Sequence, residues 1–350
     1  MQLTRLSSFF NRIKRQLLSR VYLARALLLV VAIVLITGTV FVLRAPANLT
    51  YQLIRAVASS SIPNHAGRTN FLILGIGGEN HQGSDLTDSI IFLSVSRYSQ
   101  PTVMLSIPRD LWVPSMRAKI NSTYHYGRVK AGTSGGLLLA KSSVSEILGE
   151  PVDFAVVFDF ATFAQIIDTL GGINVQIEKS FVDDRYPIAG RETDLCEGDV
   201  DYKCRYETIS FDQGLLHMDG STALKYVRSR YSADLTEGTD FARSRRQSQV
   251  ISAIKAKLFS QGILTKPAVY RQIATILLTQ TTTDITSDQY IALSRLAISA
   301  RKNPQTTTAL IEPDHIYHPP VSPKYDNQWV LVPKGDDPHA IYDFVSSLLK

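Results

Sequence analysis

Cysteine is almost missing from this 350-residue chain: there are two, Cys196 and Cys204, beside seven scattered histidines. None of the ligand spacings that zinc sites use can be assembled from them, which argues against a zinc protein. The two cysteines stand close together in an acidic, glycine-containing segment, where an oxidising compartment would join them and a reducing one would leave two thiols. The Walker A spacing and its Lys-Ser/Thr pair are also lacking, so the glycines at 75, 77 and 78 do not form a P-loop. They do allow a close backbone approach to a ligand. No Ser-His-Asp set can be picked out by spacing, and His81, His125 and His217 read as polar surface or loop residues. No internal repeat is visible.

A surplus of positive charge is missing too once the N-terminus is set aside. Of the 37 Lys+Arg, six are Arg5, Arg12, Lys14, Arg15, Arg20 and Arg25, which leaves 31 against 31 Asp+Glu. General nucleic-acid binding loses its main support, and no nucleic-acid partner is expected.

What is present is a 45% hydrophobic, 19% charged composition, the balance of a globular chain. The 18 residues 26–43 carry no charge, nearly the length needed to cross a hydrocarbon core. Extending the run back to 21 admits Arg25, which can snorkel to the interface. The acid-free basic stretch before it places the N-terminus in the cytoplasm by the positive-inside rule, and everything after about Arg44 outside. This gives a cytoplasmic basic tail (1–20), a transmembrane anchor (21–43) and a juxtamembrane stalk (44–68). A cleaved signal peptide, with Ala45-Pro46-Ala47 as a poor cleavage site, is the competing reading, and either way the product is exported.

Beyond the stalk, short apolar runs bounded by turn residues predict strands at 70–75, 89–96 and 102–107, with a hairpin turn at 97–101. Helical spacing over 137–148 stops at Gly149, 154–158 reads as a buried strand, 161–170 as a helix closed by Gly171-Gly172, and 173–177 alternates like a strand. Interleaved strands and helices predict an α/β layered domain over 69–260. Residues 180–212 look like an insertion carrying the cysteines. A short helix opens at Met218-Asp219-Gly220 and a longer one at Asp240, taken as its N-cap. The last ninety residues, 261–350, with a helix near 287–301 and a strand near 309–312, read as a C-terminal appendage.

The chemistry lies in acids and arginines. On the helix from Asp240, Arg243 shares a stripe with Gln247, Val250 and Ile254, so a cation must face the interior. Arg246 sits beside that stripe, while Arg245 points away and reads as a solvated residue. Arg228 and Arg230 are two apart in an extended segment and face one side. Arginine forks aimed at one cavity match a di- or polyphosphate, with structural ion pairs as the alternative. Asp85 and Asp88, in a loop feeding a strand, offer hard oxygens suited to magnesium. Asp110 follows Arg109 and can orient it, and Lys119 adds a cation shortly after.

Taken in order, Asp85-Leu86-Thr87-Asp88-Ser89, Ser106-Ile107-Pro108-Arg109-Asp110, Lys119-Ile120-Asn121, Leu170-Gly171-Gly172, Tyr226-Val227-Arg228-Ser229-Arg230 and Asp240-Phe241-Ala242-Arg243-Ser244-Arg245-Arg246-Gln247 make the chain resemble the LytR-CpsA-Psr family over roughly residues 69–260. The resemblance implies a three-layer α/β/α core around a mixed sheet, with a hydrophobic cavity for a lipid. It also implies a membrane-anchored, magnesium-dependent extracytoplasmic phosphotransferase that moves a glycopolymer from a polyprenyl-pyrophosphate carrier to a wall acceptor such as peptidoglycan. On that resemblance Asp85 and Asp88 hold the metal, and Asp88, Arg109, Arg228 and Arg243 are catalytic. Arg109, Lys119, Arg228, Arg230, Arg243, Arg246 and Gln247 contact the pyrophosphate. Many members carry Asp where this chain has Gly77 and Arg where it has Leu86, so Glu79 is an alternative to Asp85 and His81 a stand-in for a phosphate contact. A non-catalytic binder or regulator of lipid-linked polyanions, and a pyrophosphate hydrolase, are the alternative functions.

Overall fold

Three runs rich in β-branched and other large apolar residues form an antiparallel meander, β1 (Arg68–Ile76), β2 (Thr87–Ser96) and β3 (Thr102–Ser106). Leu72 pairs with Phe92 and Leu74 with Ile90, so alternate side chains share one face. After helix α1 (Thr123–Leu148), strand β4 (Phe154–Asp159) lies parallel to β1. The computed structural model describes residues 62–78, 83–191, 193–232, 234 and 236–350. The expected basic tail, anchor and most of the stalk, with Glu79 and His81, lie outside the described residues. Among the described residues no helix is long and apolar enough to cross a membrane.

The chain continues through helix α2 (Phe160–Thr169) and strand β5 (Ile173–Ile177), then β6 (Phe181–Pro187) and β7 (Tyr206–Phe211). Strand β8 (Gly214–Met218) and helices α3 (Gly220–Arg228), α4 (Asp240–Leu258) and α5 (Pro267–Gln280) follow. Last come strand β9 (Thr282–Thr283), helix α6 (Gln289–Ala300), strand β10 (Gln305–Ala309) and helix α7 (His339–Leu349). The central sheet is mixed, in the order β9-β4-β1-β2-β3-β10, with β10 parallel to β3 and β9 antiparallel to β4. Helices cover both faces. Leu137, Ala140, Val144 and Ile147 of α1, with Ile341 and Val345 of α7, pack on the Leu72 and Phe92 face, while Leu293 and Leu296 of α6 pack with Phe71 and Val95 opposite.

Both edges of that sheet come from the last ninety residues, so 261–350 are not an appendage to the domain but part of its core. The run Gln-Thr-Thr-Thr-Ala of β10 has no apolar alternation, because an edge strand is not buried on both faces; the strand expected at 309–312 lies four residues earlier. Likewise 180–212 is not wholly inserted. Its ends are the β6–β7 hairpin, whose Phe181, Tyr186, Ile209 and Phe211 build a second core with Ile167, Val175, Tyr226 and Val250. Only its tip stands out, closed by a Cys196–Cys204 disulfide. Helix α1 begins well before 137 and is broken at Ala131 and Gly132, where φ of +67° at Gly132 takes the backbone out of the helical region. Asp240 is the first helical residue rather than the cap: Thr239 accepts a bond from the Ala242 amide at 3.1 Å.

Candidate functional site

The carboxyl ends of parallel strands β3 and β10 open beside the start of β2, and two hollows meet there. The larger, about 590 Å³, has an apolar side that includes Ile90, Ile107, Leu310, Ile311 and Leu331, faced by polar residues such as Thr239, Arg243 and Gln247. The smaller, about 270 Å³, is lined by Arg228, Arg230, Tyr206, Tyr231 and Phe160. Asp88, Ser89, Arg243 and Gln247 line both, so these four side chains form the shared wall between an apolar compartment and a cationic one.

Each is held by its element. Asp88 and Ser89 open β2, and Gln247 of α4 donates to the Ser89 hydroxyl at 3.0 Å, tying helix to strand. Arg109, on the loop after β3, lines neither hollow itself but donates to Asp88, which lines both, at 2.8 Å, and its other edge lies 3.5 Å from Asp110. Asp88 therefore holds Arg109 by a hydrogen bond, while Asp110, expected to orient it, adds only a longer charge contact and is itself bonded by Lys119. Arg228, the last residue of α3, lies over the Phe160 ring at 4.1 Å and near the Tyr186 hydroxyl. Burial pushes the Tyr186 phenol up, and Arg228 only partly opposes this.

The turn carrying Arg228 and Arg230 is clamped from two sides. Asp183, fully buried, accepts from the Ser229 hydroxyl at 2.7 Å and from the amides of Arg230 and Tyr231 at 3.0 and 3.2 Å. From the other side Arg246 donates to the Ser229 carbonyl at 2.6 Å and pairs with the buried Glu237 at 3.0 Å. Arg246 is 1% exposed and lies over Phe181, so it holds the turn and does not reach the cavity, against the expectation that it binds pyrophosphate. Arg245, expected to be solvated, pairs with Glu237 and approaches Glu178.

Two other expected contacts are engaged elsewhere. Lys119 pairs with Asp110 at 2.7 Å and lines neither hollow. Asp85, expected to hold metal with Asp88, is buried and accepts from His125 at 2.8 Å and Arg128 at 3.0 Å, both on α1. Burial alone would raise its pKa, but the bonds and charges of His125 and Arg128 outweigh that and hold the carboxyl below its ordinary range. The glycines serve the chain itself: a Cβ on Gly75 would sit 3.2 Å from that of Ser89, and one on Gly78, at φ +83°, 3.2 Å from that of Asp159.

The donor set fits magnesium at one residue. Asp88 presents a carboxylate 43% exposed on both hollows, and magnesium is commonly held by one or two carboxylates plus substrate phosphates. Asp85 does not fit, since its carboxylate is buried beneath His125 and Arg128 and lines neither hollow. Among the described residues the one cluster of three potential ligands is Asp194 with Cys196 and Cys204, whose sulfurs are bonded to each other. Sequence reasoning missed Ser89, although it adjoins Asp88, and Glu312, an exposed acid on the larger hollow. It also missed Asp183 and Glu237, whose roles depend on contacts across the fold.

The family model described as LytR_cpsA_psr matches residues 42–322. Among curated proteins, a polyisoprenyl-teichoic acid–peptidoglycan teichoic acid transferase TagU of Oceanobacillus iheyensis is 30% identical over 248 residues, 69% of this chain and 66% of that protein. The TagU of Bacillus licheniformis is 28% identical over 201 residues, 56% of this chain and 55% of its own length. The matched part thus spans between about half and two thirds of these relatives. The crystal structure of TagV from B. subtilis superposes with a TM-score of 0.55 at 24% identity, covering 81% of this chain and 98% of that one.

Proposed function

The chain belongs to the LytR_cpsA_psr family, and from that premise we propose that it transfers a teichoic-acid-type glycopolymer from a polyisoprenyl pyrophosphate carrier to peptidoglycan. The observation that carries this reading is the wall of Asp88, Ser89, Arg243 and Gln247 between an apolar hollow and an arginine-lined one. A carrier has the same division, a greasy chain joined to a polyanion.

In this reading the pyrophosphate sits against Arg243, Arg228 and Arg230, with Arg109 held at the wall by Asp88 and Asp110. Their guanidinium forks bind phosphate oxygens bidentately and offset the charge that shifts onto the leaving group. An acceptor hydroxyl attacks the phosphorus that bears the glycan. The new oxygen–phosphorus bond forms as the bridging one breaks, the polyisoprenyl phosphate leaves, and the hydroxyl proton passes to the Asp88 carboxylate. Little else is asked of the protein, because positioning and charge neutralisation supply most of the catalysis in phosphoryl transfer. Asp88 would be the residue that holds magnesium at this wall, where the ion would supply further positive charge. The uncharged run at 26–43 behind six basic residues supports a single membrane span with the N-terminus in the cytoplasm and the catalytic domain outside.

The test is to incubate the full chain in detergent with a polyprenyl-pyrophosphate glycopolymer, magnesium and peptidoglycan. Release of polyprenyl phosphate with polymer bound to peptidoglycan is expected, and Arg109→Ala and Arg243→Ala should each lower the rate at least a hundredfold while leaving the circular dichroism spectrum unchanged. Binding without turnover, equal reaction with water, or normal rates in both variants would overturn the assignment.

A further inference from the structure

A third hollow, about 480 Å³, adjoins the larger cavity and shares Ser244 and Ala309 with it. It runs along α4 between β5 and β10. Its chemistry differs from that of both compartments already described. Strand β5 turns Ile173, Val175 and Ile177 into the second core, which leaves Asn174 and Gln176 facing outward into this groove. Opposite them stand Thr307 and Thr308 of β10, with Ser248 and Ser252 of α4 along the side. The charged side chains on it, Glu178 and Arg245, lie 3.7 Å apart and cancel.

Hydroxyls and amides both donate and accept, so this lining complements a ligand that does the same and carries no net charge. A polyanion would find no surplus cation there. The size lies within the range of small-ligand clefts. We propose that this groove is a binding subsite for a neutral glycan chain leading out of the reaction cavity. The proposal rests on the phosphotransfer reading, which brings two sets of uncharged sugars to the site, those of the peptidoglycan strand and the phosphate-free sugars that join the polymer to the carrier. Their chemistry is shared, and kinetics separates them.

Ser252 and Ala256 are exposed on the groove and touch neither compartment of the carrier site, so a bulky ring at either fills the groove alone. With the full chain in detergent, Ser252→Trp should raise KM for one glycan substrate at least tenfold while kcat and the binding of glycan-free polyprenyl pyrophosphate stay unchanged. A shift in KM for peptidoglycan assigns the groove to the acceptor, and a shift for the lipid-linked polymer assigns it to the donor. Ala256→Trp is the second variant, in case the first folds poorly. Unchanged constants for both substrates in a folded variant would overturn the proposal. Direct binding of tetra-N-acetylchitotetraose by calorimetry keeps the two readings apart. If wild-type protein releases no polyprenyl phosphate, the phosphotransfer reading fails, while the groove still stands or falls on whether Ser252→Trp weakens the oligosaccharide at least tenfold.

Discussion

Arg243 and Arg246 are one turn apart on the same helix, yet one lines the hollows and the other is sealed behind the turn that carries Arg228. Helical spacing locates both near the interior, but which cation is offered to a ligand depends on where Glu237 lies, and that acid sits outside the helix. Removing one member of a buried pair strands the other, which costs roughly 3–5 kcal/mol. Arg246→Met is therefore expected to lower the urea midpoint sharply, and Arg245→Ala much less, since that side chain is partly solvated. Asp85 gives a pH signature. Its folded pKa is depressed, so its contribution is complete above the unfolded value of about 4 and is lost as pH falls through the folded one. In stability measurements from pH 7 downward, Asp85→Asn should trail wild type by a constant margin until about pH 4 and then converge with it. Sequence could show that Asp85 and Asp88 were close along the chain. It could not show that His125 and Arg128 had already claimed the first.

At the scale of elements, strands with large apolar side chains were legible from 70–75, 89–96, 102–107 and 173–177, because burial demands a pattern. The Thr-rich strand β10 was not, since its pairing with β3 is made by backbone groups that leave no mark on composition. The break in α1 was equally hidden, although Gly132 marks it. There φ is +67° and ψ −165°, a region open to glycine and costly for other residues, and nothing lies within 4 Å of an added Cβ. Gly132→Ala thus isolates the backbone cost from any steric clash, and about 1–3 kcal/mol of lost stability is expected in chemical unfolding. An unchanged midpoint would mean that the two halves of α1 can straighten or pivot freely at this point.

Across the whole molecule, the motifs were readable between 69 and 260, but the container that gives them a shape was not. Leu310, Ile316 and Leu331 belong to the main core together with Ile341 and Val345, and three of these five also wall the larger hollow. Periodicity reports that such segments are apolar and says nothing of where they dock. A chain ending at residue 304 would lose β10 and α7, and it should form inclusion bodies or fail to give a cooperative thermal transition. A soluble truncated protein with an intact transition would restore the idea of a dispensable tail.

The placement of both outer strands after residue 280 also orders events during synthesis. A ribosome releases β1 to β4 long before β9 and β10, at roughly 5–20 residues per second, so the growing sheet waits for many seconds with two bare edges. Unpaired edges invite partners from other chains. The nascent protein is thus most exposed to aggregation while its arginines are already made, and the larger hollow is walled only once Leu310, Ile316 and Leu331 have followed β10.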